Sequence, residues 1–263
     1  MIKLCSLSGL ELVAGPAPGN YRIARTSFGP IAPVHRVTEP DGSYDPTGWS
    51  RFDTLGHTLY STDDRLTSFM ELLAQYRTEI HGARRALQKD ADAMGIPLPT
   101  YWDMVVADWD EAGAMRAQWL PKTWRDGRAI YRLDYPAGWW VDIMSTSTLA
   151  ALSSHLEEEL ADLGISGGLT VSHVTSDDRT ITTLIATWLR ETATLFDGTQ
   201  PLGIRFTSKH GHPMGGSGTC WSYWMRATDA GVIEPIDIVD EAAIVDDDPD
   251  LRTAQAYCKI RSR

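Results

Sequence analysis

Apolar residues recur with helical spacing in three stretches of the chain and alternate with polar ones in several others. Leu66, Phe69, Met70 and Leu73 fall at i, i+3, i+4 and i+7 behind Asp63 and Asp64, either of which can cap the helix they predict. Residues 145–164 open with capping residues and close on Gly164, the marks of one helix with both ends defined. Another helix starts at Asp177 or Asp178, carries Ile181, Leu184, Ile185, Trp188 and Leu189 on one face, and is ended by the Asp197-Gly198 turn. Alternation predicts strands at 57–61 and at 201–208, where Leu202, Ile204 and Phe206 oppose Arg205 and Thr207 and the strand end presents Ser208. Residues 21–25 form a short strand-like run, 129–136 and 139–143 read as a pair around Gly138, and 219–225 as a strand after the glycine-rich loop 210–218.

Between these elements, residues 14–50 are rich in Gly and Pro and predict loops with strand fragments. Residues 78–118 are helix-prone, broken at Pro97 and Pro99, and read as a helical insertion. Short strands mixed with helices, without regular alternation, favour an α+β fold over a doubly wound sheet. The chain, 263 residues long, is expected to form a single domain.

A hydrophobic content of 43% excludes collagen, coiled coil and wholesale disorder. The formal charge is −11, but nine acids and no Lys or Arg fall in 227–251, so the rest of the chain is nearly neutral. This argues against nucleic-acid binding, which needs a clustered basic surface. The acidic C-terminal extension, 227–263, reads as a solvated, partly disordered appendage, or alternatively as a docking segment or a cover over a basic cleft. Cys5, Cys220 and Cys258 are too scattered for a disulfide framework or a paired-Cys zinc site and suggest reduced thiols in a cytosol. Glu11 interrupts the early apolar run, no cleavage pattern follows, and no stretch reaches the ~18 apolar residues of a membrane span, so the expectation is a cytoplasmic protein with no membrane partner.

Several motifs fail on inspection. Cys220 followed by Trp221 suggests a cysteine-protease nucleophile, but the last histidine, His212, precedes it, where that architecture needs a His far downstream. Gly216 and Gly218 lack the third glycine of a dinucleotide fingerprint. His210, His212 and Cys220 lack a fourth metal ligand, and no metal is expected. Glu157, Glu158 and Glu159 read as a solvated helix face.

Four remaining pieces, 21–25, 49–73, 119–143 and 203–224, carry an Arg-Phe pair before a Leu-Tyr strand, a helix with Glu one turn in, and a Gly-Ile-x-aromatic-x-Ser strand leading to a Cys-Trp strand. In this order they resemble the RES-domain family, across residues 19–226 apart from 78–118. The resemblance implies a fold similar to the ADP-ribosyltransferase toxins, with a mixed core of short strands and flanking helices. It also implies consumption of NAD+ as substrate with no further cofactor, and a cognate antitoxin protein as partner. Arg51 matches the family's Arg, Glu71 its Glu, Ser208 its Ser, Tyr60 the aromatic after the strand Leu, and Arg22 the early Arg of the first strand. Catalysis would fall to Arg51, Tyr60, Glu71 and Ser208, and NAD+ binding to Arg22, Arg51, Tyr60 and Ser208. The family lacks the 78–118 insertion, and Thr199–Leu202 is an addition before the Gly-Ile strand.

The residue chemistry suits that task. Cleavage of the nicotinamide–ribose bond passes through an oxocarbenium-like centre that a carboxylate such as Glu71 stabilises. Guanidinium forks of Arg22 and Arg51 suit a pyrophosphate, Tyr60 a cationic nicotinamide ring, and Ser208 the nicotinamide amide or ribose. Each residue also has a structural alternative. Glu71 lies off the apolar stripe and suits a helix surface, Arg51 can pair with Asp53 or Asp45, Arg22 can be an edge-strand charge, Tyr60 core, and Ser208 a turn residue. The leading expectation is an NAD+-degrading enzyme with water or phosphate as acceptor. Its alternatives are protein ADP-ribosylation and a non-catalytic partner-binding module.

Overall fold

The computed structural model describes residues 1–77, 85–112, 119–215 and 218–262. Its strands are β1 (Ile2–Leu4), β2 (Glu11–Ala14), β3 (Asn20–Arg25), β4 (His35–Arg36), β5 (Gly56–Thr62), β6 (Trp119–Leu120), β7 (Arg128–Asp134), β8 (Trp139–Asp142), β9 (Gly203–Thr207), β10 (Thr219–Trp224), β11 (Asp237–Ala243) and β12 (Arg261–Ser262). Among the described residues the helices are α1 (Arg65–Leu73), α2 (Gln88–Met94), α3 (Leu98–Glu111), α4 (Lys122–Asp126), α5 (Thr146–His155), α6 (Glu157–Asp162), α7 (Val171–Thr175), α8 (Arg179–Glu191), α9 (Arg226–Asp229) and α10 (Pro249–Cys258).

Among the described residues ten strands form one mixed sheet in the order β1-β2-β8-β9-β10-β5-β3-β7-β11, with β4 added to β5, and β6 pairs with β12 apart from it. Within the large sheet β8 and β9 run parallel and the other pairs antiparallel. Side-chain alternation gives it two faces. One face carries a continuous aromatic-rich core that includes Leu59, Tyr131, Leu133, Trp140, Trp221 and Tyr223. The opposite face is divided. Over β8, β9 and β10, helices α5 to α8 bury Leu149, Leu152, Ile185 and Leu189 against Val141, Ile204 and Phe206. Over β3 and β7, helices α1, α4 and α10 bury Phe69, Met70, Leu73, Trp124 and Leu251 against Ile23 and Ile130. Full burial of each such side chain is worth about 1.5–3 kcal/mol.

The stripe at 66–73 forms α1 as expected, capped by Asp64, which accepts from Thr67 N at 2.7 Å. Three expectations change. The segment 145–164 is two helices that meet at Leu156, and Leu152, Leu156 and Leu160, spaced by four, all enter one core. The helix from Asp178 ends at Glu191, before the Asp197-Gly198 turn. β7 and β8 do not pair with each other: β7 lies between β3 and β11, whereas β8 joins β2 and β9. Pro136 has no N–H to continue a hairpin ladder, and Leu202 packs over the bare Gly138 and donates its N–H to Trp139 O at 2.8 Å.

The acidic segment is also not an appendage. Its β11 extends the sheet on β7, and α10 lies on α1 with Leu251, Ala254 and Cys258 buried. Two of its acids are buried with partners: Glu234 accepts from Tyr223 Oη at 2.7 Å, and Asp248 caps α10 and pairs with Arg65. None of the described residues of 227–262 lines the cleft described below. Within the insertion, α2 and α3 pack on each other, while 78–84 and 113–118 lie outside the described residues. No helix is long and apolar enough to cross a membrane among the described residues.

Candidate active site

A cleft of about 630 Å³ opens where the sheet comes apart, a volume typical of small-molecule sites. β5 pairs with β10 from Thr58 to Thr62, but it meets β3 only at Tyr21–Thr62 and β4 only at its opposite end. Among the described residues the edge of β5 between those points has no ladder partner, and buried backbone carbonyls need one. Arg22 supplies it: Nη1 donates to Tyr60 O and Nε to Pro30 O, both at 2.8 Å. Burial pushes the Arg22 pKa below its ordinary value. Arg22 thus borders the cleft, but two of its nitrogens stitch the gap in the sheet and are not free for a phosphate.

Glu71 reaches the cleft because α1 turns its apolar stripe toward α10 and β3, leaving the opposite side to face the opening. Ser208 follows β9 and is buried, and its hydroxyl donates to Glu71 Oε1. The Ser208 backbone is fixed in turn, with its N–H on Gly218 O at 2.8 Å and its Oγ accepting from His210 N at 3.2 Å. The Ser208 proton therefore orients the carboxylate and is not available to a nicotinamide amide in this arrangement. Half-buried His210 has its pKa lowered by desolvation, against the opposing pull of Glu71.

Tyr60 is anchored by its hydroxyl, which donates to Asp53 Oδ1 at 2.9 Å and accepts from Phe52 N at 3.1 Å. Asp53 is buried and also accepts from Ser50 N at 3.0 Å and from Arg36 Nε at 2.9 Å. Burial, reinforced by the Asp53 charge, pushes the Tyr60 pKa far up, so the phenol stays neutral. Its role is to present a ring, packed edge-on to Phe206 at 6.4 Å, along the cleft wall.

Arg51 is the least satisfied group in the cleft. It is 8% exposed, and its Nε and Nη1 are buried without a hydrogen-bond partner. The pairing alternatives do not occur: Asp53 is held by Arg36, and Asp45 accepts from Thr47 in its own turn. Its guanidinium lies over Phe206 at 5.6 Å, an attraction of about 0.5–2 kcal/mol. Burial lowers its pKa and the Glu71 charge opposes that shift. Unmet charged donors cost more than ~1–3 kcal/mol, so the geometry favours an acceptor-rich anion at this point.

The structure thus brings Arg22, Arg51, Tyr60 and Glu71 to one cleft, with Ser208 behind Glu71. It adds lining residues that the sequence pattern did not single out, Arg36, Trp49, Arg179 and Lys209, and brings Asp53 to the same cleft. One signal for Arg179 and Lys209 was available. Of the adjacent acids 177 and 178 only Asp178 caps α8, accepting from Thr180 N at 2.9 Å, which leaves Asp177 for another task.

The other motifs have structural explanations. Cys220 is buried on β10, and burial together with the Glu71 charge raises its pKa well above the ordinary thiol value, which suppresses a thiolate nucleophile. His212 faces Asp64 at 3.5 Å. Among the described residues His35, His57 and Asp229 are the acid and histidine side chains close enough to share an ion. The two rings stack 4.3 Å apart and 7° from parallel, so their in-plane lone pairs do not converge, and Asp229 is held by Arg190. This cluster closes the base of β5, where Gly56 has φ +88° and a Cβ would meet Asp229 at 2.3 Å.

Compared with known proteins, the chain matches no family model, no curated protein and no solved structure.

Proposed function

We propose that the protein consumes NAD+, breaking the bond between nicotinamide and ribose C1′ in an ADP-ribosyltransferase-like cleft of the RES type. The observation that carries this reading is the meeting of an oriented carboxylate, Glu71 held by Ser208, with the unpartnered buried guanidinium of Arg51. As the C1′–N bond breaks, its electron pair returns to the pyridine nitrogen and nicotinamide leaves neutral. Positive charge grows on C1′ and the ring oxygen, and the Glu71 carboxylate stabilises it by charge and by holding a ribose hydroxyl or the incoming acceptor. An oxygen of water or phosphate then bonds to C1′ and, if it carries a proton, passes it to the Glu71 carboxylate or to solvent. Tyr60 borders the leaving ring, and Arg51 takes phosphate oxygens of the dinucleotide through charge-assisted bonds. Ser208 acts as a positioning residue for Glu71, and Arg22 as a positioning residue for the β5 edge.

The reading brings a restraining partner protein with it, since depletion of NAD+ harms the host cell. Stable accumulation of active, partner-free protein in that host contradicts this part. Incubation with NAD+ labelled in the ADP-ribose half tests the reaction: the label is expected on free ADP-ribose or its phosphate ester. Label transferred to protein replaces the acceptor with a macromolecule, and unchanged NAD+ removes the proposal.

A further inference from the structure

The wall of the cleft next to Arg51 carries two cations from distant parts of the chain, and both are tied to one acid. Arg179 opens α8 and Lys209 follows Ser208. Asp177 Oδ1 accepts from Lys209 Nζ at 2.5 Å and from Arg179 Nη2 at 3.3 Å. Arg179 is fixed further by bonds from Nε to Trp49 O at 3.0 Å and from Nη1 to Ser176 O at 3.2 Å. The Asp177 side chain is 75% exposed, whereas those of Arg179 and Lys209 are 18% and 31% exposed. The acid thus reaches in from solvent to meet cations that belong to the cleft wall. The charges of Arg51 and Asp177 act on each other, so these groups share one local field.

We propose that Arg51, Arg179 and Lys209 form a phosphate subsite, and that Asp177 is a built-in stand-in for the ligand's oxyanion that the ligand displaces. Three observations carry it. Arg51 is more than nine-tenths buried, borders the cleft and has two nitrogens without a partner. Arg179 and Lys209 line the same cleft. Their shared acid is the most exposed member of the group, and an exposed ion pair is weak and screened by solvent, so it yields to a ligand with higher charge. Arg22 is committed elsewhere, because two of its nitrogens are taken by carbonyls. The ligand chemistry is a phosphate oxyanion. Its source is the diphosphate of a dinucleotide or a free phosphate, and the inference rests on the proposed NAD+ reading only for that choice.

Calorimetric titration of the full chain with inorganic pyrophosphate and, separately, with inorganic phosphate tests the subsite without any turnover. Removing a charge-assisted partner in R179A or K209A is expected to weaken binding about tenfold or more. Removing the competing acid in D177N is expected to strengthen it by about threefold to tenfold. Thermal melts of the variants check that they fold. Pyrophosphate bound about tenfold tighter than phosphate supports the subsite and assigns it to the diphosphate, whereas equal affinities support it and assign it to a free phosphate. No binding to the unaltered chain, binding indifferent to R179A and K209A, or weaker binding by D177N would each overturn it. Failure of NAD+ cleavage with these shifts intact would remove the proposed reaction and leave the subsite standing.

Discussion

The Ser208 hydroxyl donates to the Glu71 carboxylate, joining the end of β9 to the cleft side of α1 across 137 positions of sequence. Because Ser208 is buried and its backbone is fixed by Gly218, the carboxylate has one preferred direction. S208A removes that constraint without filling the cleft. Misplacing a reacting group by about 1 Å costs on the order of 100-fold in rate, so nicotinamide release by S208A is expected to fall by about 10–100-fold. Its KM for NAD+ is expected to change little, since Arg51 and Tyr60 are untouched. Steady-state kinetics separate the two, and a large rise in KM with unchanged kcat would assign Ser208 to ligand binding.

Arg51 is expected to limit stability in exchange for binding. Its buried nitrogens lack partners, and a buried charge replaced by an apolar group of similar length is often neutral or stabilising. R51M should therefore melt no lower than the unaltered chain while losing NAD+ binding. A loss of more than about 2 kcal/mol in chemical denaturation would mean that Arg51 is structural.

Tyr60 shows the opposite balance. Y60F leaves Phe52 N without its acceptor and takes one donor from buried Asp53, while keeping the aromatic wall. A stability loss of about 1–3 kcal/mol with a modest change in NAD+ affinity is expected from urea denaturation and equilibrium titration.

His210 makes stability depend on pH. Burial lowers its pKa in the folded chain below the ordinary value of 6.5, so the unfolded chain binds the proton more readily. Stability contributed by this residue is therefore complete above that value and declines as pH falls through it toward the folded pKa. Denaturation of H210Q and the unaltered chain at pH 7.5 and 5.5 is expected to show the smaller acid loss in the variant. An equal loss in both would remove His210 from the account.

Much of this frame was legible in the sequence. The 66–73 stripe and the alternation at 203–207 marked α1 and β9, and of the residues singled out Arg51, Tyr60 and Glu71 line one cleft while Ser208 bonds Glu71 from behind it. Pairing was less legible, because β7 and β8 are neighbours in sequence but take their partners from elsewhere in the chain. The acidic segment misled for a related reason. Its charges face outward along β11, and its burial rests on a few residues such as Ile236, Leu251 and Cys258 that composition does not weigh. The task of Arg22 was hidden because a side chain bonded to a carbonyl of another strand leaves no local pattern.

The packing of α10 on α1 links that segment to the site. L251A empties a fully packed position and is expected to cost about 2–5 kcal/mol, with activity falling as α1 loosens. Stability unchanged in thermal and urea denaturation would return the segment to the role of an appendage.

In the proposed reaction Glu71 stabilises charge growing on the ribose of NAD+. Purified protein incubated with NAD+ and followed by chromatography for nicotinamide tests it most directly, with E71Q, which keeps the side-chain shape, beside it. Release by the unaltered chain and a fall of about 100-fold or more in E71Q are expected. Equal rates in the two proteins, or no release by either, would contradict it.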